Sequence, residues 1–279
     1  MPSSTPPIVD SHVHVWPFGL VHSAQRVAEP LRATPVDLLA TEAGSGVDVT
    51  IMTPANVYPD NGYVLGAAAT EPRRLRAAVG MDPRRPDVLA QLRAYAQAGA
   101  IGVRIVPAAL PLEGPDDMAA LGALADLATD LGLVIQWTAG LPRTGGIDEI
   151  ASRRPDAVQV LDHLGLPPDA TDLGGLTRIR QLASIPGLSV KLSGLHALSR
   201  DGYPFRDAWN WAEGVFDAFG PDRMMWASDW PLSGEFASHA QLRGLVDELP
   251  FLDGASRTAI LSTTACRVWS IPPNRSNGP

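Results

Sequence analysis

Residues 8–17 read IVDSHVHVWP, and residues 223–231 read RMMWASDWP. Each is a β-type run with chemistry-bearing side chains near its end. Side chains of a strand alternate between faces, so a regular strand here places Asp10, His12 and His14 on one side. Six more runs of the same kind lie between these two: DVTIMTPA (48–55), LRAAVGM (75–81), IGVRIVP (101–107), GLVIQWTA (132–139), AVQVLDHLG (157–165) and LSVKLSG (188–194). Amphipathic helical stretches separate them, at 34–43, 61–70, 86–98, 116–131, 146–153, 173–183, 205–219 and 238–249, and a last helix is expected over 253–264. Thr34 followed by Pro35 reads as an N-cap with proline in the first turn.

Strand–helix alternation implies parallel strands joined by helical crossovers. Eight strands in 279 residues favour an α/β fold of the closed (β/α)8 TIM barrel type over a doubly wound sheet. No G-x-G-x-x-G follows the first strand, which argues against dinucleotide binding. Without a linker or composition break, a single domain is expected over residues 8–271, with 1–7 and 272–279 as disordered tails. Residues 17–33 form a long first βα-loop of the kind that covers active sites.

Composition narrows the classes of function. Hydrophobic residues make up 45% and charged residues 19%, as in ordinary globular domains. The net charge of −8 argues against a nucleic-acid partner. No run approaches the roughly 18 apolar residues of a membrane span, and MPSSTPP lacks the apolar core of a signal peptide. The single cysteine, Cys266, forms no internal disulfide and suits a reducing compartment. A cytoplasmic protein acting on a small-molecule substrate is therefore expected, with no membrane or nucleic-acid partner; the sequence does not specify an oligomeric state. Lysine occurs once, as Lys191, against 21 arginines. Where arginine so dominates, a retained lysine marks a place where the two are not interchangeable.

Polar residues gather at the C-terminal strand ends, where this barrel carries its chemistry. They are His12 and His14 (strand 1), Arg104 (strand 4), His163 (strand 6), Lys191 and Ser193 (strand 7), with His196 just beyond, and Asp229 (strand 8). An H-x-H pair on one strand face presents two imidazoles to one divalent ion, and an aspartate from the last strand adds a carboxylate.

The motifs VDSHVHVW, ANVYPDN, GVRI, LDHLGLP, VKLSG and SDWP together resemble the amidohydrolase superfamily, in its amidohydrolase-2 group. That group includes sugar lactonases, 2-pyrone-4,6-dicarboxylate lactonase, 4-sulfomuconolactonase and related decarboxylases. The resemblance implies that His12 and His14 are the first-strand metal pair, Asp229 the eighth-strand carboxylate and His163 the sixth-strand histidine. Many members carry a further histidine on strand 5, where this chain reads VIQWTAG, and Arg104 stands where others have a carboxylated lysine. The expected site therefore holds at most one divalent ion, with zinc the first choice, or none. In the metal-free case the histidines contact substrate only.

The resulting expectation is a hydrolase that opens a lactone or related cyclic ester of a small carboxylated or sugar-derived substrate. Asp229 is the general base, its pKa raised by burial, and His163 polarises the carbonyl. Arg104 clamps a carboxylate, or else forms an ion pair inside the barrel. Lys191 pairs with Asp10 or Asp229 and orients the first-strand row. Ser193, His196, Asn61 and Trp137, with His22 and Tyr58, are candidate pocket walls. A second arginine from Arg26, Arg143 or Arg200 would favour a dicarboxylate. The alternatives are a metal-dependent decarboxylase of the same superfamily and a non-catalytic binding barrel.

Overall fold

Eight short parallel strands pair in chain order: β1 (Val9–Val13), β2 (Val49–Met52), β3 (Leu75–Gly80), β4 (Ala100–Ile105), β5 (Val134–Trp137), β6 (Gln159–Leu161), β7 (Leu188–Leu192) and β8 (Met224–Trp226). The barrel closes through a parallel bridge of Val13 with Trp230, with His14 N donating to Trp230 O at 2.8 Å and Asp229 N to His12 O at 3.0 Å. This is the (β/α)8 barrel expected from the alternation. The computed structural model describes residues 6–17, 31–56, 59–106, 112 and 114–272. His22, Arg26 and Tyr58 lie outside these residues, as does most of the 17–33 segment.

The crossovers are α1 (Pro35–Glu42), α2 (Asn61–Thr70), α3 (Val88–Gln97), α4 (Pro115–Asp130), α5 (Gly145–Arg153), α6 (Leu176–Ala183), the short α7 (Leu195–Leu198), α8 (Trp209–Phe219) and α9 (His239–Glu248). Local chemistry starts several of them. Thr34 and Asp37 form a reciprocal capping box ahead of Pro35, and Ser238 and Gln241 form another at α9. The 173–183 and 205–219 stretches begin as single 3-10 turns before becoming α-helical. The last helix runs further than expected, as α10 (Gly254–Thr258), a π turn (Ala259–Thr263) and α11 (Thr264–Val268). Among the described residues no helix is long and apolar enough to cross a membrane.

Two apolar compartments follow from strand alternation. Outward residues such as Val103, Ile135, Leu161, Val190 and Met224 pack under the helices. Inward residues low in the barrel, Val9, Val49, Ile51, Val134, Val160 and Met225, pack with Val268 and Trp269 of the C-terminal helix. That end of the barrel is thus filled with apolar side chains, and polar groups occupy the opposite end. Gly102 permits the plug: a Cβ there would lie 2.9 Å from the Trp269 ring.

One expectation fails at β1. Val9 pairs with Val49 and Asp10 with Thr50, but Val13 pairs with Met52, so two residues on β1 stand opposite Ile51 alone. This is a β-bulge, and it reverses the facing of the chain. Asp10 therefore points outward and His12 inward, although they are two apart. The Asp10 carboxylate accepts from Ser228 N at 2.9 Å, from His12 N at 3.2 Å and from His239 Nε2 at 3.0 Å. It ties β1 to β8 and α9 behind the barrel wall and does not line the mouth.

Candidate active site

Four histidines surround one carboxylate at the polar end of the barrel. The Asp229 Oδ1 atom lies 3.4 Å from His14 Nε2, 3.7 Å from His12 Nε2 and 4.0 Å from His163 Nε2. Its Oδ2 lies 3.5 Å from His196 Nε2. All five residues are buried. His12, His14, His163, His196 and Asp229 are thus brought together by β1, the segments after β6 and β8, and α7.

The backbone is bent to achieve this. His163 and Asp229 both have positive φ, 52° and 61°, in the left-handed region that non-glycine residues seldom occupy. Gly194 makes room for the first of them: at φ 72°, a Cβ there would sit 2.8 Å from His163 Cβ. The His163 ring is then held by Ser193, whose Oγ lies 2.9 Å from Nδ1.

The protonation of the ring follows from its surroundings. Burial pushes His163 below the ordinary histidine range and His12 well below it, against the opposing pull of Asp229 and Asp162 respectively. Both imidazoles are therefore neutral at pH 7. The environment of Asp229 differs from the apolar one expected. Burial does oppose its charge, but the four histidines around it, His163 first and then His14, His12 and His196, together hold the carboxyl far below the usual carboxylate range. Asp229 is ionised at neutral pH.

A deeper layer lies below this ring. Lys191 Nζ is 3.0 Å from Asp162 Oδ1 and 3.1 Å from His12 Nδ1. Its partner is thus Asp162 and not Asp10 or Asp229, because Asp10 faces outward and Asp229 lies one layer higher. Asp162 also accepts from Gln136 Nε2 at 3.1 Å and Thr138 Oγ1 at 2.5 Å. Against complete burial, Lys191 first, with His12 and His163, holds the Asp162 carboxyl well below its ordinary value. Gln136 and Thr138 occupy the strand-5 face on which the resemblance places a histidine. Asp162 was legible by alternation: it shares the inward face of Val160 and directly precedes His163.

Arg104 is held within this assembly. Its Nε donates to Thr138 Oγ1 at 2.9 Å and its Nη1 to Pro54 O at 2.5 Å and Asn56 Oδ1 at 3.3 Å, with Asp162 Oδ2 3.9 Å away. It also lines a cavity of about 570 Å³ over the ends of β2 to β4, together with Asn56, Asn61, Asp82, Arg85 and Tyr95. Among the described residues a second arginine lining this cavity is Arg85, which pairs with Asp87 at 3.2 Å. Arg200 instead pairs with Asp169 at 2.9 Å on the surface, and Arg143 is exposed on the turn after β5. Asn61 borders the cavity, but its amide is engaged with Gly80, donating to Gly80 O at 2.8 Å and accepting from Gly80 N at 2.7 Å.

Trp137 is not a pocket wall. Alternation on β5 turns Gln136 and Thr138 inward and Trp137 outward, where its indole is buried against Gly146 and Leu121 and donates to Gln159 Oε1 at 2.9 Å. Thr53, which sequence reasoning passed over, fixes His14: the His14 Nδ1–H donates to Thr53 O at 2.9 Å. A carbonyl only accepts, so the Nδ1 of His14 carries a proton and its Nε2 faces Asp229.

His12 Nε2, His14 Nε2 and Asp229 Oδ1 form a triangle with sides of 3.3, 3.4 and 3.7 Å. Ligand atoms around a tetrahedral ion with bonds of about 2.0–2.1 Å are roughly 3.3–3.4 Å apart. Asp229 Oδ1 is buried and takes no hydrogen bond among the described residues. The donor types, the spacing and this orphaned oxygen fit one divalent cation.

A (β/α)8 barrel with an H-x-H pair on its first strand and an aspartate after its eighth defines a hydrolase-type site at the barrel mouth. The chain belongs to the amidohydrolase family, whose sequence profile matches residues 9–271. It is 29% identical to a 4-sulfomuconolactone hydrolase of Hydrogenophaga intermedia over 239 residues, covering 81% of this chain and 75% of that protein. It is 36% identical to an L-fucono-1,5-lactonase of Burkholderia multivorans over 127 residues, covering 40% of this chain and 43% of that one. Among solved structures it resembles an amidohydrolase of Burkholderia multivorans crystallised with zinc, with a TM-score of 0.76 and 22% identity over 95% of this chain and all of the other.

Proposed function

We propose that this protein hydrolyses a lactone of a small carboxylated or sugar-derived acid. The observation that carries the reading is the buried Asp229 carboxylate, its Oδ1 without a hydrogen bond among the described residues, set among four histidines at the mouth of the barrel. Lactone hydrolases among the relatives support the same reaction class.

Ring opening needs a base for water, a polarised carbonyl and a held substrate. Asp229, being ionised, takes a proton from water as the water adds to the carbonyl, and returns it to the ring oxygen as the C–O bond breaks, leaving the hydroxy acid. Its low affinity for protons favours that return. His163, its ring held through Nδ1 by the Ser193 hydroxyl at 2.9 Å, donates from Nε2 to the carbonyl oxygen in this scheme. His196 steadies Asp229 Oδ2 from the other side. Arg104 faces the cavity as the contact for a substrate carboxylate. One divalent ion, zinc by donor type, would be held by His12, His14 and Asp229, and would supply Lewis acidity at the carbonyl and the attacking water.

The test is a panel of sugar lactones, muconolactones and pyrone carboxylates assayed for ring opening and for carbon dioxide. Asp229→Asn is expected to lower kcat on the order of a thousandfold or more with the fold intact. Carbon dioxide release without ring opening would replace this reading by the decarboxylase one. Absence of turnover on all of them would favour a binding barrel.

A further inference from the structure

The hydrolysis scheme leaves the chain's one lysine without a role. Lys191 is fully buried, with its Nζ 5.5 Å over the Trp269 ring and in contact with both Asp162 and His12. Two N–H donors face His12 Nδ1: Lys191 Nζ at 3.1 Å and Gln136 Nε2 at 3.2 Å. The orientation of the Gln136 amide is not free. The atom 3.1 Å from Asp162 Oδ2 must be its NH2, because a carboxylate only accepts. Among the described residues the acceptor beside Nδ1 is Asp162 Oδ1, more distant at 3.4 Å, and charge rather than an aligned hydrogen bond holds it near Lys191.

A nitrogen facing two donors keeps its lone pair. With its lone pair at Nδ1, His12 carries its ring proton on Nε2, opposite to His14, whose Nδ1 donates to Thr53 O. His12 Nε2–H points at His14 Nε2, 3.3 Å away. A cation requires both Nε2 atoms bare. To bind one, His12 must move its proton to Nδ1, toward the Lys191 ammonium and against a second donor from Gln136.

We infer that Lys191 is a positioning residue that fixes His12 as the Nε2–H tautomer and so opposes cation binding at His12, His14 and Asp229. Asp162 acts in the other direction, as the acceptor that a metal-bound His12 would use through Nδ1–H. The inference rests on those three residues as the cation ligands and not on the lactone reading. The sign is distinctive. Loss of an ordinary outer partner weakens metal binding by about 10–100-fold, whereas loss of Lys191 should strengthen it.

The experiment uses metal-free protein labelled with 15N-histidine, with long-range 1H–15N spectra and the His12 signals assigned by their loss in His12→Gln. The wild-type protein should show His12 protonated on Nε2 and His14 on Nδ1. Lys191→Met should move the His12 proton to Nδ1, donating to Asp162. It should also tighten zinc, measured against a chromophoric chelator, on the order of tenfold. Gln136→Met leaves the Lys191–Asp162 pair in place and should shift both readouts in the same direction by less. It decides the matter if Lys191→Met does not fold. A bare Nε2 on His12 in the wild-type protein, or weaker zinc binding in the folded variants, overturns the inference. Neither readout depends on turnover, so the lactonase reading stands or falls separately.

Discussion

Glu42 sits behind β1 and is 1% exposed, its carboxylate held by the Thr50 hydroxyl and by Arg74. Burial pushes its pKa from 4.5 up to about 7, helped by the charge of Asp10 and opposed by Thr50, His239 and Arg74. In the unfolded chain the same carboxyl titrates near its ordinary value. The folded state therefore binds its proton more tightly. Its contribution to stability is complete below pH 4.5 and is lost as the pH rises through about 7. At about 1.4 kcal/mol per tenfold change in acidity, the loss is roughly 3 kcal/mol. Glu42→Gln keeps the shape and an acceptor for Thr50 while removing the ionisation. The pull of Arg74 is already contained in the value of about 7, so its loss subtracts nothing further. The expectation at pH 8 is a gain of about 3 kcal/mol, or about 5 °C in Tm for a chain of this length. At pH 5 the gain should fall below about 1 kcal/mol. Thermal and urea melts of both proteins at pH 5, 6.5 and 8 measure it. A gain independent of pH, or a loss at pH 8, would refute the reasoning.

Three further outcomes are expected. Gly194→Ala puts a Cβ 2.8 Å from His163 Cβ at a positive φ, so it should cost about 1–3 kcal/mol and lower kcat; a melt with unchanged kinetics would contradict the placement of His163. Arg104→Met should raise KM about tenfold or more for carboxylated lactones and much less for uncharged ones, and an equal effect on both would remove its assignment to a carboxylate. Elemental analysis of protein purified without added metal should find one divalent ion per chain, and a chelator that removes it should abolish ring opening. Ion-free protein with full activity would leave the histidines as substrate contacts.

The barrel was legible because its signals are local. Eight β-type runs, the Thr34-Pro35 start and the strand-end histidines each depend on near neighbours. What escaped depends on partners far along the chain. The Lys191–Asp162 pair spans two strands, and only the layer height of each inward residue shows that Lys191 meets Asp162 and not Asp229. Trp137 reads as a pocket aromatic until the parity of β5 is known, and then it belongs to the helical layer. The acidity expected of Asp229 was wrong in direction because the sequence shows its burial but not four imidazoles converging from three other parts of the chain.

The bulge at Ser11 has a bearing on how such chains are compared. Ser11 is a phase residue. Its own hydroxyl is buried without a hydrogen-bond partner, and it exists to let one strand serve an outer clasp and an inner pair at once. A chain one residue shorter there, reading V-D-H-V-H, would alternate regularly and place the same three groups on the same two faces. The distance along the chain from the aspartate to the first histidine is therefore a free variable. The side of the wall on which each one stands is the quantity that a structural comparison should hold constant.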